Sequence, residues 1–306
     1  MKKKASEGAV ITIETQEREL TNFITSDVHF DSIYCNRSMF FKDLDYAKSI
    51  NAGVYIFGDF YDALNGRFDP RRDMEKVRPE YRRENYYDLL VSDAVKQLTP
   101  YKDIIRMIAP GNHELSVLKF SNTYLTDRLV ASLNDKGGEI IHGHYGGWIR
   151  FAMKPGGNRK GAMIINAKYF HGSGGEAPVT RGAIQSSRQA VFLPDAELVF
   201  NGHNHNSYHI PIARERMSIK GRQYFDIQHH VRTPGYSQAY GDGTTGWEVT
   251  RGGVPKPLGG CVVVLKYSDN NKADAGNTIE VYPKIHAPEP INALNEMYDG
   301  IVFPQE

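Results

Sequence analysis

The chain has 306 residues, 40% of them hydrophobic and 24% charged, with a formal net charge of +1. That is long enough for a substantial core, and a balance so close to neutral gives no global electrostatic pull toward nucleic acid or a membrane. The two cysteines, Cys35 and Cys261, lie far apart and form no Cys-x-x-Cys pattern, so no disulfide framework is expected and a reducing, cytoplasmic setting fits.

The basic start, Met1-Lys2-Lys3-Lys4, leads into Ala5-Ser6-Glu7-Gly8 and not into an apolar stretch. Neither a signal peptide nor a membrane-spanning helix is expected. Residues 1–19 are polar, with a short edge strand over 10–13. Residues 20–26 read as a buried strand that runs into Asp27-Val28-His29-Phe30. In an extended segment, residues i and i+2 point the same way, so Asp27 and His29 face one point just beyond the strand. An Asp capping the next helix beside a surface His accounts for the same pair equally well.

A helix over 40–51 and a second buried strand over 53–58 follow, ending in Asp59-Phe60-Tyr61-Asp62. Carboxylates at the carboxyl ends of strands stand where α/β sheets bind ligands. Residues 63–102 form a long connection, broken by Pro70 and Pro79 and helical over 80–98. Between 65 and 85, seven basic residues stand against five acids. That is either a solvated insertion with paired charges or a lid whose Arg67, Arg71 and Arg72 meet a substrate phosphate.

The third strand, 103–109, runs into Pro110-Gly111-Asn112-His113-Glu114. The glycine permits a sharp turn that aims Asn112 and His113 at the strand ends. A helix over 115–133 comes next. Strands at 140–141 and 148–153 flank His142-Gly143-His144, and a glycine-rich bend at 154–158 leads to a strand over 163–170 that ends at His171-Gly172. A loop over 172–182 and a helix over 183–192 precede the apolar run 197–200, which delivers Asn201-Gly202-His203-Asn204-His205. From 208 onward the chain is β-rich, with strands over 222–231, 260–267 and 278–282 and a Gly/Pro-rich loop over 241–257.

The strand-end residues Asp27, His29, Asp59, Asn112, His171, His203 and His205 are all oxygen or nitrogen donors. Such a set can hold two adjacent divalent ions with one carboxylate between them, which is the arrangement that polarises a phosphoryl oxygen and lowers the pKa of a bridging water. The order Asp27-x-His29, Gly58-Asp59-x-x-Asp62, Gly111-Asn112-His113-Glu114, His171, Gly202-His203-x-His205 resembles the calcineurin-like metallophosphoesterase superfamily over residues 27–205.

The resemblance implies an α/β fold of four layers, αββα. The chain would be a single domain spanning 1–306, with 63–102 as a helical insertion or lid after the second core strand and 207–306 completing the second sheet. It implies one ion on Asp27, His29, Asp59 and His205 and another on Asp59, Asn112, His171 and His203. His113 would be the acid or charge stabiliser at the leaving oxygen, oriented by Asp62. Mn, Fe, Zn, Co or Ni suits such ligands, with Mn favoured. The implied activity is phosphoester hydrolysis by a metal-bridging hydroxide. The favoured substrates are phosphodiesters, nucleotides or nucleic acids.

Three alternatives stay open: a phosphomonoesterase of protein-phosphatase type, a scaffold that kept the fold without catalysis, and a mononuclear metal-binding module. Glu114 leans toward the phosphatase branch, but Ala63 stands where that branch carries an arginine. His144 is the alternative to His171 as the single-histidine ligand. His229 and His230 read as structural or rim residues. Oligomeric state is left open.

Overall fold

Apolar runs alternating with amphipathic segments build two sheets and their crossover helices. The computed structural model describes residues 2–5, 10–64, 66, 68–157, 162–175, 179–241, 246–268 and 278–288. The strands are β1 (Lys2–Ala5), β2 (Val10–Thr15), β3 (Glu19–Thr25), β4 (Gly53–Phe57), β5 (Ile105–Ala109), β6 (Ile141–His142), β7 (Gly146–Met153), β8 (Met163–Phe170), β9 (Leu198–Asn201), β10 (Tyr208–Met217), β11 (Gln223–Arg232), β12 (Leu258–Lys266) and β13 (Ile279–His286). The longer helices are α1 (Arg37–Ser49), α2 (Tyr86–Leu98), α3 (Asn112–Ser121), α4 (Leu125–Asp135) and α5 (Ala183–Phe192). The α/β class expected from the sequence is the class observed.

One sheet runs β13-β12-β3-β4-β5-β6 and the other β1-β2-β7-β8-β9-β11-β10. Strands β3, β4 and β5 are parallel neighbours, as are β8, β9 and β11. Parallel neighbours need a crossover over the sheet face, and burial on both faces explains why β4 is apolar throughout instead of alternating. Between the sheets, Phe57 stacks on Tyr169 at 5.0 Å and on Phe200 at 5.5 Å. A second core joins the other face of the six-stranded sheet to α1, α2 and α4 through Phe40, Leu44, Leu90, Ala94 and Leu129.

Several boundaries depart from the sequence reading. Strand 10–13 is not an edge, because β1 pairs along it. The helix expected over 80–98 begins only at Tyr86; before it lie two short 3-10 turns, Met74–Lys76 and Pro79–Tyr81. Because α2 buries Leu90, Ala94 and Leu98, it is the crossover between β4 and β5 and not a lid over the surface. The single helix expected over 115–133 is two, broken where Asn122 takes a left-handed conformation at φ 47° and caps α3.

The stretch from 207 does not complete one sheet. Strands β10 and β11 join the seven-stranded sheet, whereas β12 pairs with β3 in the other. Part of the bend at 154–158, part of the loop at 241–257 and the sequence after 288 lie outside the described residues, as does Arg67. No helix among the described residues is long and apolar enough to cross a membrane.

Candidate metal centre

Strands β3, β4 and β5 of one sheet and β8 and β9 of the other end at the same place, and each hands a donor to it. Asp27 and His29 follow β3, Asp59 follows β4, Asn112 opens α3 after β5, His171 follows β8, and His203 and His205 follow β9. Five of these residues hold positive φ: Asp27 52°, His29 50°, Asp59 48°, His203 73° and His205 52°. Left-handed backbone costs a non-glycine residue roughly 1–3 kcal/mol, and such strain collects at functional sites. Main-chain bonds between turns hold it in place: Asp27 N donates to Gly58 O at 2.9 Å, His29 N to Asp59 O at 3.1 Å, and Gly202 N to His171 O at 2.7 Å.

The donors fall into two trios. Asp27, His29 and His205 each present a ligand atom within 4.8 Å of the others, and so do Asp59, His171 and His203. Asn112 Oδ1 lies 3.1 Å from His171 Nε2, beside the second trio. A third grouping, His29, Asp62 and His113, has a different character, because Asp62 Oδ1 sits 3.2 Å from His29 Nδ1 and 3.1 Å from His113 Nδ1. The Asp62 carbonyl also lies 2.6 Å from His113 Nδ1.

The residues fit divalent ions. Asp27 is fully buried; its Oδ2 accepts from Ser26 Oγ and from His203 N at 2.9 Å, while its Oδ1 has no hydrogen-bond partner. That orphaned oxygen lies 3.5 Å from His205 Nε2 and 4.0 Å from His171 Nε2. A buried carboxylate oxygen left bare among imidazole nitrogens suits a cation. On the second trio, Asp59 Oδ2 is 3.0 Å from His171 Nε2, while Asp59 Oδ1 accepts from His113 N at 2.9 Å. His171 Nδ1 is pinned to Phe57 O at 2.9 Å, which aims Nε2 inward, as metal-ligating histidines require.

The electrostatics are those of carboxylates surrounded by imidazoles. Burial pushes the Asp27 carboxyl up, but His205 and His171 outweigh it and hold it at about 2. Burial opposes ionisation of Asp59 as well, and His171 and His113 keep it well below the carboxylate range. Burial lowers His113, yet Asp59 and Asp62 raise it to about 10. The same contest, with Asp59 prevailing, carries His171 to about 9.

Two side chains to which the motifs gave no role at the site, Glu114 and Asp31, hold these turns. Glu114 accepts from Tyr61 N and from Gly111 N, each at 2.8 Å, tying the β4 turn to the β5 turn. Asp31 accepts from Asp62 N at 2.7 Å, from Ala63 N at 3.0 Å and from the Tyr86 hydroxyl. The Asp-x-His-x-Asp spacing of Asp27, His29 and Asp31 was the available signal for the latter. A Cβ on Gly111 would overlap Asp59 Oδ1 and N, and one on Gly202 would overlap Ser26 Oγ and Asp27 Oδ2, so both glycines are needed for close approach.

Other candidates fall elsewhere. His144 is exposed, its ring 6.4 Å from His142, and belongs to neither trio. Arg72 is exposed. Arg71 lies close, its Nη2 3.5 Å from His113 O, but its guanidinium is clasped by Asp69 at 3.1 and 2.7 Å. A free phosphate-seeking arginine is therefore not what Arg71 presents. His229 and His230 are buried in β11.

No family profile matches the chain, and no curated protein does. Among solved structures, the chain is similar to GAP50, the anchor in the inner membrane complex of Plasmodium, at 12% identity over 94% of this chain and 96% of that one, with a TM-score of 0.38. It is similar to a metallophosphoesterase from Sphaerobacter thermophilus at 14% identity, covering 92% and 94% with a TM-score of 0.32. A predicted phosphoesterase from Streptococcus pneumoniae matches at 12% identity, covering 86% and 97% with a TM-score of 0.28. At scores this low the likeness is too loose to bear on fold or function.

Proposed function

We propose that this chain is a metal-dependent phosphoesterase whose centre takes two divalent ions, one on Asp27, His29 and His205 and the other on Asp59, Asn112, His171 and His203, with Asp59 also serving the first. The observation that carries this reading is the pair of trios around the orphaned Oδ1 of buried Asp27. Two such ions supply Lewis-acid polarisation of a phosphoryl oxygen and offset the charge of an anionic substrate. The nitrogen and oxygen set suits Mn or a related divalent ion.

The chain's own residues supply the rest. Asp62 holds His113 Nδ1, which leaves Nε2 as the working nitrogen of the imidazole. That nitrogen lies 3.9 Å from Asp59 Oδ2, facing the centre, where it donates a proton or a hydrogen bond to a leaving oxygen. We favour a phosphodiester, nucleotide or nucleic-acid substrate over a phosphoprotein, because Ala63 occupies the usual arginine position and Arg71 is engaged by Asp69. A reducing, cytoplasmic setting belongs to this reading, since Cys35 and Cys261 are free and buried.

Metal content per chain, measured alongside turnover of a chromogenic diester and a monoester, tests the proposal. Two ions with diester turnover support it. Two ions without turnover of either ester point to a scaffold, and one ion at saturation to a mononuclear site.

A further inference from the structure

Arg232, the last residue of β11, is among the largest fully buried side chains, with 1% of its surface exposed. Its neighbours on the same hairpin, Arg214 and Arg216, are paired with Asp226 at 2.7 and 3.3 Å. Arg232 has no such counter-charge among the described residues, and its Nε has no hydrogen-bond partner. Its guanidinium meets neutral groups instead. Nη2 donates to Gln185 Oε1 on α5, and the guanidinium carbon lies 5.2 Å from the centre of the Tyr208 ring. Gly182, which precedes α5, makes room for it: a Cβ there would stand 2.9 Å from Nη1.

The remaining contact leads to the metal centre. With the Asn204 amide oriented so that its oxygen faces the arginine, that oxygen accepts from Arg232 Nη1 at 2.8 Å and the NH2 donates to Gly174 O at 3.0 Å. The reverse orientation sets donor against donor. Asn204 stands between His203 and His205, both left-handed, in a turn with one short main-chain bond from Asn204 N to Gly202 O at 3.0 Å. A turn strained on both sides of one residue holds only if its surroundings over-determine it.

We propose that Arg232 is a positioning residue for the metal centre, bracing the His203-Asn204-His205 turn through the Asn204 side chain. The planar fork of a guanidinium serves Asn204 and Gln185 at fixed angles, which the single ammonium of a lysine does not. Burying an arginine without a carboxylate is costly, and the gain is a fixed direction for two imidazoles. The turn gives His205 to the Asp27 trio and His203 to the Asp59 trio. Loss of the brace therefore weakens both sites together, whereas damage confined to one site weakens one. The inference rests on the proposed two-ion centre.

Calorimetric titration of the metal-free full chain with Mn²⁺ alone provides the test. Arg232→Gln and Asn204→Ala are each expected to weaken both binding steps by about 10–100-fold, the usual cost of losing a partner behind a metal ligand. The double variant is expected to be no weaker than either single one, since both act through one contact. Arg232→Lys is expected to remain weak, and substrate KM at saturating Mn²⁺ to stay at the wild-type value. Wild-type Mn²⁺ affinity in Asn204→Ala overturns the inference even if Arg232→Gln fails to fold, as does additivity in the double variant or full recovery in Arg232→Lys. If the wild-type chain itself takes up no Mn²⁺, or only one equivalent, the two-ion reading has failed and not the brace alone.

Discussion

Asp59→Asn keeps the shape of the side chain and removes its charge, and the surroundings of Asp59 allow its effect to be worked out. Oδ1 accepts from His113 N at 2.9 Å, a bond the Asn oxygen can keep. The NH2 is then forced to the position of Oδ2, 3.0 Å from His171 Nε2 and 3.9 Å from His113 Nε2. A pair of donors thus replaces a charged acceptor where an ion would sit. In the proposed centre two carboxylates, Asp27 and Asp59, would face ions carrying four positive charges in all, so the variant halves the compensating charge. A loss of at least about 100-fold in affinity at each site, roughly 2.7 kcal/mol per site, is expected.

The metal-free fold changes less simply. His113 and His171 lose the charge that raised them, and breaking a buried pair from one side costs about 3–5 kcal/mol; the isosteric amide moderates this by keeping one hydrogen bond. The assay is bound metal by elemental analysis together with thermal unfolding with and without Mn²⁺. The wild type should gain about 2.7 kcal/mol per site at an ion concentration 100 times Kd, and the variant, weakened about 100-fold, no more than about 0.4 kcal/mol per site at that concentration. Two ions per chain in Asp59→Asn, with the wild-type thermal gain, would falsify the shared-carboxylate reasoning.

His113→Ala should keep its metal while turnover drops by about 10²–10⁴-fold; an unchanged rate removes His113 from the chemistry. Gly111→Ala places a Cβ on Asp59 Oδ1 and N, so it should lose activity and roughly 1–3 kcal/mol of stability. Wild-type metal content and unfolding midpoint in that variant would show that the turn has slack. Burial holds His229 and His230 down at about 4, below the ordinary 6.5. The unfolded chain therefore takes up protons that the folded chain refuses, and stability is full above pH 6.5 and lost as the pH falls toward 4. The loss is on the order of 1–3 kcal/mol for each histidine. Denaturant midpoints at pH 7.5 and 5 check this, and the same fall in a His229→Gln, His230→Gln double variant would refute it.

The side chains that converge at the strand ends were legible in the sequence because the signal is local. An apolar run followed by Asp, Asn or His beside a glycine describes one strand and its turn, and each such stretch needs nothing distant to be read. Strands β3, β4, β5, β8 and β9 follow from short, mostly apolar segments for the same reason. The break at Asn122 and the late start of α2 were not legible, since periodicity carries across a short left-handed cap and through proline-punctuated turns.

Tertiary structure alone decided what lies between segments far apart in the chain. It put β12 against β3 and β11 against β9, dividing the last third between two sheets. It turned His144 outward and set Arg232 behind Asn204, 28 positions earlier in the chain. Sequence pattern fixes which face of a strand is apolar and what its end carries. Which charges neutralise one another, and which polar groups brace a strained turn, depend on packing between elements that no local period encodes.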